Sequence, residues 1–325
     1  MSPYNADTTA EEVAQDCQSQ IANKTILITG ASPGGLGAIF ATIIAKYKPA
    51  SIILATRDIA KAEETAREIS TVAPSVRTWC IELNLSSLKQ IKTAAEKINL
   101  LEEQIDVIVN NAGIMATPYS KMADGIESQF ATNHIGHFLL TNLLLPKILE
   151  KKKGAVRVVN VASNGFRFGP IRFEDWNFDD GKTYNRWIAY AQSKTANMLF
   201  SVSLAQKLRK KGLVSVSLHP GIIQTRISRD LAMEDFGELS QLDRIQGYRA
   251  FWGLPYHFKT PSQGVATHVF AAFHPSLEFP ENNGSYLVDS QVVAPKIFQS
   301  WARDPLEAER LWALSEELVG QKFEY

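Results

Sequence analysis

Short apolar runs that do not alternate with polar residues recur along this chain, separated by longer helical patterns. Thr25–Thr29 (TILIT), Ser51–Thr56 (SIILAT), Val76–Leu83, Ile105–Val109 (IDVIV), Val156–Ala162 and Val214–Leu218 have this character, and Ser285–Val288 is a weaker seventh run. A strand that is apolar on both faces must be covered on both faces, which is what a parallel sheet between helices requires. The intervening segments read as helices at Gly35–Lys48, Ile59–Val72 with Asp58 as N-cap, and Leu88–Leu100 with Ser86 or Ser87 at its start. Two longer ones follow, at about Gly125–Glu150 and Ile188–Lys211. The pattern predicts an α/β fold, a doubly wound parallel sheet of about seven strands. No Pro/Gly/Ser linker divides the chain, so residues 22–325 form one domain. A polar arm, residues 1–21, precedes it, either disordered or laid over a surface groove, and the Lys151–Lys153 run reads as a solvated loop.

Composition narrows the function. The chain has 325 residues with 34 Lys plus Arg against 34 Asp plus Glu, and so no formal net charge. A nucleic-acid binder needs a basic excess to neutralise phosphates, so a nucleic-acid partner is excluded and a small-molecule or protein partner is favoured. Cys17 and Cys80 offer neither a disulfide framework nor a metal spacing, which fits a reducing compartment, and a cytoplasmic location is expected. The first residues lack the basic start and apolar core of a secretory signal. The longest apolar stretch, Phe138–Leu145, is far short of the roughly 20 residues a membrane span needs, so the chain is expected to be soluble.

The loop after the first strand reads Gly30-Ala31-Ser32-Pro33-Gly34-Gly35-Leu36-Gly37. Glycines here let the backbone turn tightly and approach a pyrophosphate, whose charge the following helix N-terminus stabilises, as in a Rossmann-type sheet. No Gly-Lys-Ser or Gly-Lys-Thr follows, which excludes the other common phosphate loop. Arg57 closes the second strand, where a guanidinium pairs with a 2′-phosphate and points to NADP(H), with NAD(H) the weaker alternative. In the competing reading Asp58 binds the ribose and Arg57 is a surface residue. Asn84 ends the third strand, and Asn110-Asn111-Ala112-Gly113 the fourth, in the crevice where open α/β sheets bind ligands. Tyr190 and Lys194 stand one helical turn apart, Ser163 closes the fifth strand, and Asn133 lies in the helix after the fourth. Bringing a tyrosine from a pKa near 10 to about 7 takes roughly 4 kcal/mol of preferential phenolate stabilisation, which a lysine ammonium and an oxidised nicotinamide could supply. His134, His137 and His219 form no coherent cluster in the sequence, and no metal is assigned.

Together these residues resemble the short-chain dehydrogenase/reductase family, from Thr25 to about Ala294. The matching elements are the glycine loop, Asn110-Asn111-Ala112-Gly113, Asn133, Ser163, Tyr190 with Lys194, and His219-Pro220-Gly221 followed by Thr225. Ala55-Thr56-Arg57-Asp58, Asn133-His134-Ile135-Gly136-His137-Phe138, Phe173-Glu174-Asp175-Trp176-Asn177 and Ala189-Tyr190-Ala191-Gln192-Ser193-Lys194 look most like the retinol dehydrogenase and WW-domain oxidoreductase branch.

The resemblance implies an NADP(H)-dependent oxidoreductase interconverting an apolar ketone or aldehyde and an alcohol. The alternatives are a regulatory module that binds the cofactor without turnover, and a reductase of activated double bonds. Tyr190 would be the general acid/base. Lys194 would lower its pKa and hold the nicotinamide ribose, Ser163 would orient the substrate oxygen, and Asn133 would hold a relay water. Gly30, Ser32, Gly34, Gly35, Leu36 and Gly37 would cradle the pyrophosphate. Asn84, Asn111, Ala112 and Gly113 would line the adenosine side, and Pro220, Gly221 and Thr225 would position the carboxamide.

Three departures stand out. Four residues separate Gly30 from Gly35 where three are usual, so either the loop is one residue longer or Gly34 takes the middle role; the basic residue that some NADP-dependent members carry in this loop is missing, leaving Arg57 with Ser32 or Thr56 for the 2′-phosphate; and Asn84 replaces a common Asp. The resemblance makes the region at about 227–258, with Phe236, Tyr248, Phe251, Trp252, Tyr256 and Phe258, a substrate lid, which would imply a medium-sized apolar substrate; the alternative is helices whose aromatic stripe packs against the body or a second subunit. The insert carrying Phe166, Phe168, Phe173, Trp176 and Trp187 would add another wall. A homodimer through the helices around Asn133 and Tyr190 is expected by analogy alone, and Pro295–Tyr325 is assigned only a helix.

Overall fold

The strands form one eight-stranded sheet in the order β3-β2-β1-β4-β5-β6-β7-β8. They are β1 Thr25–Thr29, β2 Ser51–Thr56, β3 Arg77–Glu82, β4 Val107–Asn110, β5 Val156–Val161, β6 Leu213–His219, β7 Tyr286–Val288 and β8 Gln291–Val292. All neighbours pair in parallel except β7 and β8. The eighth strand goes beyond the expected seven: two residues after a left-handed turn at Asp289 and Ser290 carry no readable periodicity. The computed structural model describes residues 3–101, 103–151, 154–225, 227, 231, 233–247 and 258–325. Lys152 and Lys153 of the basic run, and Tyr248, Phe251, Trp252 and Tyr256 of the expected lid, lie outside the described residues, as does the side chain of Phe236.

Side chains leave a strand on alternate faces, and here both faces are apolar. Ile26, Ile28, Ile52, Leu54, Val107 and Val109 enter one core with helices α1 (Ala10–Asp16), α2 (Leu36–Ala45), α3 (Ile59–Val72) and α8 (Pro261–Phe273). Leu27, Ile53, Ala55, Ile108 and Val158 enter the other, with α4 (Leu88–Leu100), α5 (Gly136–Lys151), α6 (Arg186–Leu208) and α9 (Pro305–Val319). One further helix, α7 (Met233–Ile245), belongs to neither layer and lies in the expected lid.

Local sequence explains where several helices begin. The Asp58 carboxylate accepts from the Ala60 N–H at 3.0 Å, the Ser87 hydroxyl from Gln90 at 3.4 Å, and Asn185 from Trp187 and Ile188 at 3.0 and 3.1 Å. Of the two serines offered for α4, Ser87 is the cap.

The terminal segments join the body. The arm is helical over α1, where Thr9 and Glu12 make a reciprocal capping box, and Val13, Cys17 and Ile21 are buried in the core that α8 shares. It covers a groove, and its polar composition hides the apolar stripe that does so. At the other end α9 crosses α5 and α6. Trp312 meets Phe138 edge-on at 4.9 Å, the Ser203 hydroxyl donates to the Ala308 carbonyl at 2.9 Å, and the Tyr325 hydroxyl donates to Asn142 at 2.6 Å. The face expected to pair two copies is therefore covered by the chain's own carboxyl-terminal segment. Among the described residues no helix is long and apolar enough to cross a membrane.

Candidate active site

Chain direction across the sheet reverses between β1 and β4, so the loops leaving their carboxyl ends flank a crevice. These loops touch so closely that glycine is required. Gly30 has φ +71°, and a Cβ there would fall 2.8 Å from the Cα of Ala112. A Cβ on Gly37 would lie 2.6 Å from the Asn111 side-chain nitrogen and 2.7 Å from the Gly30 carbonyl oxygen. The longer loop divides its roles: Gly34 takes the left-handed conformation at φ +74°, while Gly35 is the N-cap of α2 and has no side chain to cap it. The first N–H groups of α2 therefore have no side-chain acceptor, and with the partial positive charge of the helix end they suit an anion. Leu36 is the first residue of that helix, and the Ser32 carbonyl closes the turn by accepting from the Gly35 N–H at 3.0 Å.

A buried network ties this cradle to the helix that follows β4. The Thr29 hydroxyl accepts from the N–H groups of Asn111 and Ala112, both at 3.0 Å, and lies 2.8 Å from His137 Nε2. His137 Nδ1 is 3.0 Å from the Asn133 carbonyl, which can only accept, so Nδ1 carries the proton and Thr29 donates to Nε2. Burial keeps this imidazole neutral, pushing its pKa down to about 4. Thr29 and His137 were not singled out for the site by sequence; the readable signal was a threonine as the last strand residue before the first loop glycine.

Asn133 sits in a π-helical turn, Ala131–Ile135, that leads into α5. Its carbonyl accepts from the Asn197 side chain at 2.7 Å as well as from His137. Its carboxamide clamps the backbone of Ile114 on both sides, accepting from N–H and donating to C=O at 2.9 Å each, and donates to the Ser193 hydroxyl at 2.9 Å. A Cβ on Gly113 would lie 3.1 Å from the Asn133 oxygen and 3.5 Å from Lys194 Nζ.

Ser163, Tyr190 and Lys194 converge on the same place from two elements. Ser163 follows β5 and caps the 3₁₀ turn Asn164–Phe168, its hydroxyl accepting from the Gly165 N–H at 3.0 Å. The Tyr190 and Ser163 side chains are hydrogen-bonded, and a Cβ on Gly165 would lie 2.9 Å from the Tyr190 ring. Lys194 Nζ donates to the Val161 carbonyl at 2.9 Å and lies 5.6 Å from the centre of the Tyr190 ring. Burial pushes the Tyr190 hydroxyl up to about 12, against a smaller opposing effect of Ser163, and pushes the Lys194 ammonium down to about 7. Burial therefore favours the protonated, neutral form of Tyr190.

The other predicted residues lie around this centre. Pro220 and Gly221 follow β6; Gly221 has φ +99°, and its missing Cβ makes room for the stem of Lys259, whose ammonium pairs with Asp289 at 2.5 Å. The Thr225 hydroxyl is 3.5 Å from the Ile227 N–H. Arg57 is exposed at the end of β2, with no hydrogen bond or ion pair among the described residues, while Asp58 is held in its capping role. The Asn84 side-chain oxygen turns back onto Ser86, accepting from its N–H at 3.1 Å and its hydroxyl at 2.6 Å, and is thereby partly engaged. His134 and His219 lie apart from the cradle as buried neutral imidazoles, each pushed by desolvation to about 3. Among the described residues no group of three or more His, Cys, Asp or Glu could hold a metal ion.

A glycine cradle at the reversal point of a parallel sheet, beside a buried Ser-Tyr-Lys group, defines a dinucleotide-binding oxidoreductase of the Rossmann class. A family model described as short chain dehydrogenase matches residues 24–174. The chain is 35% identical over 301 residues to human retinol dehydrogenase 11, covering 93% of this chain and 87% of that protein. It is 36% identical over 308 residues to retinol dehydrogenase 12 of Bos taurus, covering 94% and 89%. The crystal structure of an uncharacterized protein from Mycobacterium paratuberculosis superposes with a TM-score of 0.69 at 34% identity, covering 94% of this chain and 96% of the other. The chain belongs to the short-chain dehydrogenase/reductase family of oxidoreductases, which bind a nicotinamide cofactor.

Proposed function

We propose that this protein is an NADP(H)-dependent oxidoreductase that interconverts a medium-sized apolar ketone or aldehyde and its alcohol. One observation carries the reading: Ser163, Tyr190 and Lys194 meet beside the glycine cradle at the carboxyl edge of the sheet. The uncapped N-terminus of α2, at the end of a glycine loop packed tightly against the loop after β4, fits the pyrophosphate of a dinucleotide. When bound, that cofactor exchanges a hydride with the substrate carbon, and the protein's part is position and proton transfer.

In the reduction direction the Tyr190 hydroxyl donates its proton to the carbonyl oxygen, which the Ser163 hydroxyl orients. Burial keeps Tyr190 protonated, as the role of acid in this direction requires. In the reverse direction Tyr190 must become a phenolate, and the Lys194 ammonium, once protonated, stabilises that charge. Asn133, whose side chain clamps the Ile114 backbone, fixes the loop beside Lys194 through which the proton relay is proposed to run. Arg57 is unengaged and available to a 2′-phosphate, because Asp58 is committed to the N-terminus of α3. An apolar substrate is supported by Ala116, Phe168, Trp187 and Leu239, a buried apolar cluster where α7 meets the first turn of α6, against which the partly exposed Met115 and Leu242 pack.

Absorbance loss of NADPH over a panel of apolar aldehydes and ketones tests this. Tyr190→Phe is expected to reduce turnover at least 1000-fold, while NADPH binding, measured by fluorescence titration, stays within threefold. Comparable turnover in the variant would show that another group carries the proton.

A further inference from the structure

The lid helix α7 rests on two elements only a few residues from the proposed chemistry. One is the 3₁₀ turn that follows Ser163, and the other is the first turn of α6, which carries Tyr190. Arg186, one turn before Tyr190, pairs with Asp235 at 2.7 Å, and the Trp187 indole N–H donates to the Asp235 carbonyl at 3.0 Å. The Gln246 side chain donates to the Phe168 carbonyl at 2.7 Å.

Between these contacts lies a buried ion pair, Arg167 with Asp243, whose side chains are 7% and 2% exposed. Arg167 Nε and Nη2 both reach the same oxygen, Asp243 Oδ1, at 3.3 Å, and Oδ2 is buried with no partner. The same guanidinium sits 4.4 Å over the Phe168 ring and donates from Nη1 to the Asn164 carbonyl at 3.2 Å. Asn164 is the residue after Ser163, and its side chain accepts from the Tyr286 hydroxyl at 2.6 Å.

An ion pair this dry and this incompletely bonded is a poor stabiliser. Removing two charges from water is costly, and the return is large only when every lone pair and proton is satisfied; apolar side chains of similar volume would hold the helix down better. The pair is better suited to a contact that opens. Lifting α7 would return both charges to water and lowering it would restore the contact to Arg167, so this pair opposes opening less than an apolar contact of the same size would. Arg167 meanwhile holds the backbone next to Ser163, so the position of the lid is communicated to the serine.

We propose that Arg167 and Asp243 are positioning residues that form a latch, by which closure of α7 orients Ser163 for catalysis. The proposal rests on the oxidoreductase reading above for its kinetic consequence and on geometry alone for the latch. Asp243→Asn keeps the shape and removes the charge. Two readouts on the full chain test it: hydrogen exchange of the 233–247 segment and steady-state turnover with NADPH.

The expected result is exchange at least tenfold faster in 233–247 with the core strands unchanged. Turnover should be about tenfold lower, with the NADPH Kd within twofold of wild type. Arg167→Met should reproduce both effects, and Arg167→Lys, which keeps a cation, should recover at least a third of the turnover. Unchanged exchange in Asp243→Asn overturns the latch, as does acceleration spread equally over the sheet. Normal turnover despite faster lid exchange overturns the link to Ser163. If the wild type reduces no carbonyl compound, the oxidoreductase reading fails, and the exchange comparison alone upholds or overturns the latch.

Discussion

Lys194 shows how a single side chain trades stability for chemistry. Its ammonium is buried, donates to the Val161 carbonyl and is pushed down to about 7. A base depressed in the folded state binds fewer protons there than in the unfolded chain, so stability rises with pH between the folded and unfolded values. For Lys194 that window runs from about 7 toward 10.5. Four buried histidines, His134, His137, His219 and His268, add the same sign below their ordinary value of 6.5. Thermal denaturation of the cofactor-free protein is therefore expected to show a Tm that falls steadily from pH 9 to pH 5; a maximum near pH 6 would contradict the burial of these groups. Arg57 leads to a second expectation. Charge-assisted hydrogen bonds contribute roughly 1.5–3 kcal/mol, so Arg57→Ala should weaken NADPH binding by about tenfold or more while NADH binding stays within threefold, as isothermal titration would show. Arg57, Tyr190 and Lys194 were readable because their meaning depends on position along a strand or within one helical turn. Arg167 and His137 were not, since each acts on residues far away in sequence.

At the level of elements, periodicity and capping chemistry located most strands and helices to within a few residues. The exceptions are informative. The π-helical turn at Ala131–Ile135 breaks no composition rule; within it the Asn133 carbonyl accepts from the side chains of Asn197 and His137. The amino-terminal arm, which its polar composition left either disordered or laid on the surface, packs through Ala10, Val13 and Ala14, a stripe on one face of α1. Burying a Val or Ile side chain contributes about 1.5–3 kcal/mol, and Val13 and Ile21 are both fully buried. Removal of residues 1–21 should therefore lower unfolding stability by several kcal/mol, on the order of the sum of those two burials. Urea denaturation measures it, and an unchanged midpoint would mean that the arm does not hold α8 in solution.

Taken whole, the molecule has no net charge, and it packs its last segment onto its own helical face. Trp312, Ser315 and Tyr325 contact α5, α6 and the π-helical turn there. Light scattering is expected to give a monomer near 36.1 kDa. Truncation after Arg303 should expose the ring faces of Phe138 and Phe200 and produce concentration-dependent association. A wild-type dimer that persists at low concentration would place the interface elsewhere. The parallel sheet, the glycine loop and the helical-turn spacing of Tyr190 and Lys194 were legible in the amino-acid order, because strand burial, backbone freedom and helical spacing are local properties. The seating of the arm, the contact of Arg167 with Asp243, and the packing of α9 on α5 and α6 were not. Each of these depends on which distant surfaces meet, and that is set by the free energy of packing the whole chain.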